Sequence, residues 1–214
     1  MPPPATRTAW TAAARELAAR HPVAGTLLER HGPPLLRPGA APRDRFEALA
    51  ESIAYQQLAG RAAAAIWARV VGVVGRPFGP EAVLAAGYDE LRGAGLSNAK
   101  AVSLLDLAER THSGEIRLER IGRLKDAEIV EHLTVVRGIG PWTAQMFLLF
   151  ELRRLDVWPV GDYGVRAGYA RAFDLHDLPT ERQMVALGEP FQPYRSVLAW
   201  WCWREVDTAS RFTT

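Results

Sequence analysis

Cysteine is almost absent: Cys202 is the only one in 214 residues. A single thiol excludes a disulfide framework within the chain. It equally excludes an iron–sulfur cluster held by four cysteines of this chain. Its setting, Trp200-Trp201-Cys202-Trp203, reads as a buried thiol rather than a nucleophile. No segment approaches the ~20 apolar residues of a membrane span. The start, Met1-Pro2-Pro3-Pro4, lacks the charged region and apolar run of a secretory signal. The expectation is a soluble cytoplasmic protein with no membrane partner. His21, His31, His112, His132 and His176 are scattered without ligand spacing. They read as surface or helix-end residues, and no metal site is expected. A Gly-rich nucleotide loop, a Ser-His-Asp order and alternating β-branched strands are missing as well.

What remains is ordinary globular material, 48% hydrophobic and 23% charged, long enough for a substantial core. The net charge of +2 permits nucleic-acid binding without establishing it. Any such face must be a local patch built from arginines. Helical periodicity dominates, with helices expected at roughly 7–20, 22–31, 44–58, 60–74, 80–86, 88–93, 97–111, 125–137, 141–152, 163–173, 180–188 and 194–207. The stretches 32–39 and 75–80, rich in Gly and Pro, read as loops. The fold class expected is all-α, in two helical lobes flanking a cleft. One lobe covers about 80–160 and carries the hairpin; the other comes from the N- and C-terminal segments.

The most informative dozen residues run from Leu133 to Ala144, Leu-Thr-Val-Val-Arg-Gly-Ile-Gly-Pro-Trp-Thr-Ala. Gly138 fits a helix end that turns through positive φ, and Pro141 fits the first turn of the next helix. Gly140 leaves the backbone open to close approach. Such a turn points several backbone N–H groups outward, at the positive end of a helix dipole, which suits a phosphate. An ordinary αα-hairpin shares the turn, but the whole string is more specific. It resembles the helix-hairpin-helix element of the DNA glycosylase superfamily, matching every fixed position of Leu-x-x-Val-x-Gly-Ile-Gly-x-x-Thr-Ala. The resemblance implies a grip on a DNA phosphate by the backbone of Arg137, Gly138, Ile139, Gly140 and Thr143. It implies no required cofactor, though a monovalent cation often sits at the hairpin.

Downstream, Pro159-Val160-Gly161-Asp162 resembles the segment whose last aspartate is catalytic in that superfamily. Locally, Asp162 reads as a helix N-cap, a place that favours an anion. Such an anion stabilises an oxocarbenium-like sugar and orients water toward its anomeric carbon. Asp156 is the competitor, but its place before a Trp-Pro turn fits a structural role better. Where bifunctional members carry a Schiff-base lysine, this chain has Trp142, so no lyase activity is expected.

Three further segments are similar to the 3-methyladenine DNA glycosylase II branch. In Ser52-Ile53-Ala54-Tyr55-Gln56-Gln57-Leu58-Ala59, the resemblance implies a turn that enters the minor groove. Gln57 then fills the gap left by a flipped base, with Leu58 the near alternative. Ala59 stands where the branch often has Ser. Gly95-Leu96-Ser97-Asn98-Ala99-Lys100-Ala101 resembles a helix start, with Ser97 as N-cap and Lys100 solvated. Pro193-Tyr194-Arg195-Ser196 through Trp203 resembles the branch's last helix, departing from it at Tyr194 and Leu198. The resemblance assigns Trp142 and Trp203 to the base pocket; Met146, one turn after Trp142, and Tyr55 are placed beside them. It also implies a compact form without the extra N-terminal α/β domain of larger relatives. The expected activity is monofunctional N-glycosylase excision of alkylated purines from double-stranded DNA by a nucleoid-associated monomer. A non-enzymatic DNA-damage binder on the same scaffold is the alternative. An oxidised-purine glycosylase/lyase is a third reading, opposed by Trp142.

Overall fold

The computed structural model describes residues 5–34, 44–58 and 60–210. Among these residues the chain forms helices and no strand. It divides into two compact units, one made of Met1–Ala40 with Leu148–Thr214, the other of Ala41–Phe147. The hairpin's unit therefore begins near residue 41, taking in two helices ahead of residue 80.

The discontinuous unit is built from α1 (Arg7–Arg20), α2 (Pro22–His31), α10 (Tyr163–Ala172), α11 (Glu181–Gly188) and α12 (Arg195–Ser210). Thr6 caps α1 by accepting from the Ala9 amide at 3.2 Å. Thr180 and Gln183 form a reciprocal capping box at α11. The core gathers Trp10, Leu17, Leu27, Trp158, Tyr169, Val197 and Trp201. Helices α10 and α12 pack backbone to backbone at Gly168, where an added Cβ would lie 1.9 Å from the Cys202 carbonyl oxygen. Cys202 is fully buried at this crossing, and burial pushes its thiol ionisation up. His31 ends α2, but its ring is buried, with Nε2 2.6 Å from Glu205.

The continuous unit holds α3 (Arg45–Tyr55), α4 (Gly60–Val74), α5 (Pro80–Gly93), α6 (Asn98–His112), α7 (Leu118–Ile121), α8 (Asp126–Thr134) and α9 (Pro141–Met146). Asp44 caps α3 through the amides of Phe46 and Glu47, and Ser97 caps α6 through that of Lys100. The break expected at residue 87 is a kink within α5, where Gly87 sits at φ 72°. The short α7 lies outside the expected helices; its four residues are too few to show a period. Helix α9 runs on into a wider π-helical turn at Phe147–Glu151, and the boundary between the units falls inside that turn. Part of the 32–39 loop lies outside the described residues, as does Ala59.

Candidate functional site

The hairpin is the turn between α8 and α9. Helix α8 ends at Thr134, three residues short of the expected end, and residues 135–140 turn back toward α9. Gly138 has φ +78°, and a Cβ there would meet Ser103 Oγ at 2.4 Å. Glycine is therefore demanded twice, by the backbone and by the neighbour. Pro141 occupies the first position of α9, as the turn chemistry predicts. Not every amide of the turn points outward. Arg137 N–H donates to Asp106 Oδ2 at 2.7 Å, and Ile139 N–H to the Val136 carbonyl at 3.1 Å. Arg137, Gly138 and Gly140 are exposed, whereas Ile139 and Thr143 are buried. Ile139 thus anchors the turn through its side chain.

The same unit carries the turn after α3. The expected helix to residue 58 stops at Tyr55 because Gln57 adopts left-handed backbone, φ +55°. Gln57 and Leu58 are exposed at the tip of this turn. Gln56 donates from Nε2 to the Gly138 carbonyl at 2.9 Å, with Thr143 Oγ1 at 3.4 Å. Lys100 is not solvated as expected. Its Nζ donates to the carbonyls of Ala54 at 2.9 Å and Gln56 at 2.5 Å, supplying donors that the end of α3 lacks. Desolvation lowers its pKa from the ordinary lysine value. Trp142 is 46% exposed on this unit, while Tyr55 and Met146 are half-buried.

Asp162 and Trp203 belong to the other unit, where they meet. Asp162 is the N-cap of α10, its Oδ1 accepting from the Val165 amide at 2.8 Å. The same oxygen accepts from Trp203 Nε1 at 2.9 Å. Gly164 makes room for this: a Cβ there would lie 2.9 Å from Trp203 Cδ1 and 3.2 Å from Asp162 Oδ1. The indole also stacks on Phe150, ring centroids 5.8 Å apart and 25° from parallel. Trp200, on the same helix, lies beneath the Arg204 guanidinium instead.

The loop that delivers Asp162 is held by two residues, Arg195 and Ser196, whose roles are not legible in the sequence alone. Arg195 grips the Asp156 carboxylate with Nε and Nη2, each at 2.8 Å. Ser196 Oγ donates to the Arg154 carbonyl at 2.7 Å and accepts from the Val157 amide at 2.8 Å. Asp156 is thereby a structural partner. An arginine–serine pair at the start of a helix was the available signal. Among the described residues, no three His, Cys, Asp or Glu side chains gather as a metal-binding group. Nor is any helix there long and apolar enough to cross a membrane.

Comparison with known proteins gives these residues a context. A DNA-3-methyladenine glycosylase of Schizosaccharomyces pombe is 36% identical over 170 residues, 78% of this chain and 75% of that protein. The solved structure of a 3-methyladenine DNA glycosylase from that yeast, in complex with abasic DNA, superposes with a TM-score of 0.80. It is 31% identical, covering 95% of this chain and all of the other. A DNA-3-methyladenine glycosidase structure from Bacillus halodurans gives a TM-score of 0.83 at 29% identity, over 94% of this chain and 91% of that one. Residues 50–193, from within α3 to just ahead of the last helix, match the model of the HhH-GPD superfamily base excision DNA repair proteins, and the chain belongs to that family.

Proposed function

We propose that this protein is a monofunctional DNA N-glycosylase that removes alkylated purines, 3-methyladenine and 7-methylguanine among them, from double-stranded DNA. The observation that carries the reading is the Asp162–Trp203 pair, a carboxylate on a helix N-terminus with an indole N–H on the same oxygen. A methylated purine is already cationic, so its glycosidic bond breaks with little help to the leaving group. The water oxygen bonds to the anomeric carbon. The base leaves with the bonding electrons and becomes neutral, and the proton lost by water passes to Asp162. The Asp162 carboxylate lowers the energy of the positive sugar along this path. Trp203 is assigned a stacking role toward the electron-poor base. Trp142, Met146 and Tyr55 are assigned to the base as well, on the strength of the resemblance. Gln57, with Leu58 beside it, fills the space of the extruded nucleotide. The exposed turn at Arg137, Gly138 and Gly140 binds phosphate, held in shape by buried Ile139 and Thr143. With tryptophan at position 142 no amine stands ready for a Schiff base, and the strand is left intact.

No cofactor is needed for this chemistry. A monovalent cation is proposed at the hairpin carbonyls. Those of Val136 and Gly138 accept from Ile139 and Gln56, and a carbonyl oxygen carries two lone pairs. Oxygens of this kind suit a hard cation. The protein is proposed to act as a monomer on intracellular DNA.

The test is base release from methylated duplex DNA. Asp162→Asn keeps a good N-cap, so stability changes by less than about 1 kcal/mol. Release of 3-methyladenine is expected to fall at least ~100-fold. A variant that releases base at the parent rate removes Asp162 from the chemistry. A parent protein that shifts methylated duplex on a gel but frees no base is a binder.

A further inference from the structure

Helix α6 carries three polar side chains at spacing i, i+3 and i+6, which fall on one face. They are Lys100, Ser103 and Asp106. Each holds part of the two segments assigned to DNA. Lys100 Nζ binds the carbonyls of Ala54 and Gln56 behind the tip. Ser103 is buried, and its Oγ occupies the space beside Gly138 that a Cβ would need. Asp106 accepts the Arg137 amide at the far side of the hairpin turn. One rigid helix thus seats both the tip and the hairpin.

Between those seats runs a direct link. Gln56 lies 82 residues from Gly138 in sequence, yet its amide group donates to the Gly138 carbonyl at 2.9 Å. Its own carbonyl is held by Lys100. The next residue, Gln57, stands in left-handed backbone, which costs a non-glycine residue energy and persists only where the surroundings fix it. Gln56 and Lys100 supply that fixation at the residues just before Gln57, through the Gln56 side chain and the Ala54 and Gln56 carbonyls.

We propose that Gln56 is a strut that makes the Gln57–Leu58 tip and the 137–140 hairpin one mechanical piece, so that filling the gap in the duplex and gripping the phosphate occur as a single event. Gln56 is a positioning residue here, with no contact to DNA required of it. The proposal rests on the DNA-binding roles given above for the tip and hairpin. Without the strut, each segment still meets DNA, but a gain at one is no longer passed to the other.

The experiment compares the full chain with Gln56→Ala, Gln56→Glu, Gln57→Ala and the Gln56→Ala/Gln57→Ala double variant. Affinity is measured for a duplex holding a tetrahydrofuran abasic analogue and for the matched undamaged duplex. Gln56→Ala is expected to lower the preference for the abasic duplex about fivefold, the size of one neutral hydrogen bond. Undamaged-duplex affinity stays within about twofold of the parent, the change at one uncharged side chain away from the phosphates. Gln56→Glu sets an acceptor against the Gly138 carbonyl and is expected to do no better than Ala. In the Gln56→Ala background, Gln57→Ala costs much less preference than it does in the parent. Fully additive losses, or an unchanged preference in Gln56→Ala, overturn the strut.

A second measurement needs no DNA. Hydrogen exchange in the free protein is expected to rise together at residues 57–58 and 138–140 in Gln56→Ala. A rise confined to one segment overturns the strut. Base release by the parent is scored separately. A parent that frees methylated bases while these variants behave additively keeps its activity and loses the strut. A parent that frees none, while exchange rises in both segments, keeps the strut and loses the glycosylase reading.

Discussion

Gly138→Ala is the sharpest perturbation of the hairpin, because two independent costs coincide at one atom. The backbone at 138 has φ +78°, where an L side chain costs about 1–2 kcal/mol. The added Cβ would also meet Ser103 Oγ at 2.4 Å and Ser103 Cβ at 3.1 Å. Ser103 has little room to yield. It is 4% exposed, and its Oγ donates to the Ala99 carbonyl of its own helix at 2.8 Å. Overpacking of this kind costs about 1–3 kcal/mol. The sum is about 3 kcal/mol, a large share of a typical domain's stability. Ser103→Gly removes both clashing atoms and leaves the backbone term alone. In that background Gly138→Ala is expected to cost only about 1–2 kcal/mol. The four proteins of this cycle are compared by urea unfolding followed by circular dichroism, with the slope checked for constancy. A Gly138→Ala cost under about 1 kcal/mol, or an equal cost with and without the Ser103 side chain, would refute the two penalties.

Trp203→Phe keeps an aromatic ring against Phe150 but deletes the N–H on Asp162 Oδ1. A hydrogen bond to a charged group is worth about 1.5–3 kcal/mol, so single-turnover base release is expected to slow about tenfold or more. KM changes little by comparison, and equal shifts in KM and kcat would count against the pairing. Alkaline pH gives another check. Burial pushes the Tyr169 phenol from 10.0 up to about 12. The folded value is the higher one, so this contribution to stability is whole below pH 10 and is lost as pH climbs toward 12. That loss amounts to about 2–3 kcal/mol. The Cys202 thiol, raised by burial, pulls in the same direction. Urea midpoints measured from pH 9 to 11.5 are expected to fall less steeply in Tyr169→Phe than in the parent. Parallel curves would refute the assignment.

Helix positions were legible because apolar spacing and end signals agree. Thr6, Asp44, Ser97, Asp162 and Thr180 all accept a helix amide, as short polar residues ahead of periodic segments do. Pro141 and Gly138 marked the hairpin for similar local reasons. What was hidden depends on residues far apart in sequence. Lys100 reads as a surface lysine until the end of α3 is placed against it. The Arg137 amide reads as open until Asp106 arrives from α6. The early end of α3 has no breaker in sequence; the chain turns at Gln57, in positive φ, next to carbonyls that Lys100 holds from α6. Asp162 was legible as a cap and, through the resemblance, as a catalytic candidate. Its bond to Trp203 depends on the crossing of α10 and α12, which no local pattern encodes.

That crossing has a chemical consequence beyond packing. Agents that methylate purines are electrophiles, and a cysteine thiolate is among the softest nucleophiles a protein can offer them. Here the single thiol is sealed between two helix backbones, and burial keeps it protonated. Met184 is buried in the same unit. An enzyme proposed to work where DNA is being alkylated thus keeps its most vulnerable sulfur out of reach of the reagent that creates its substrate.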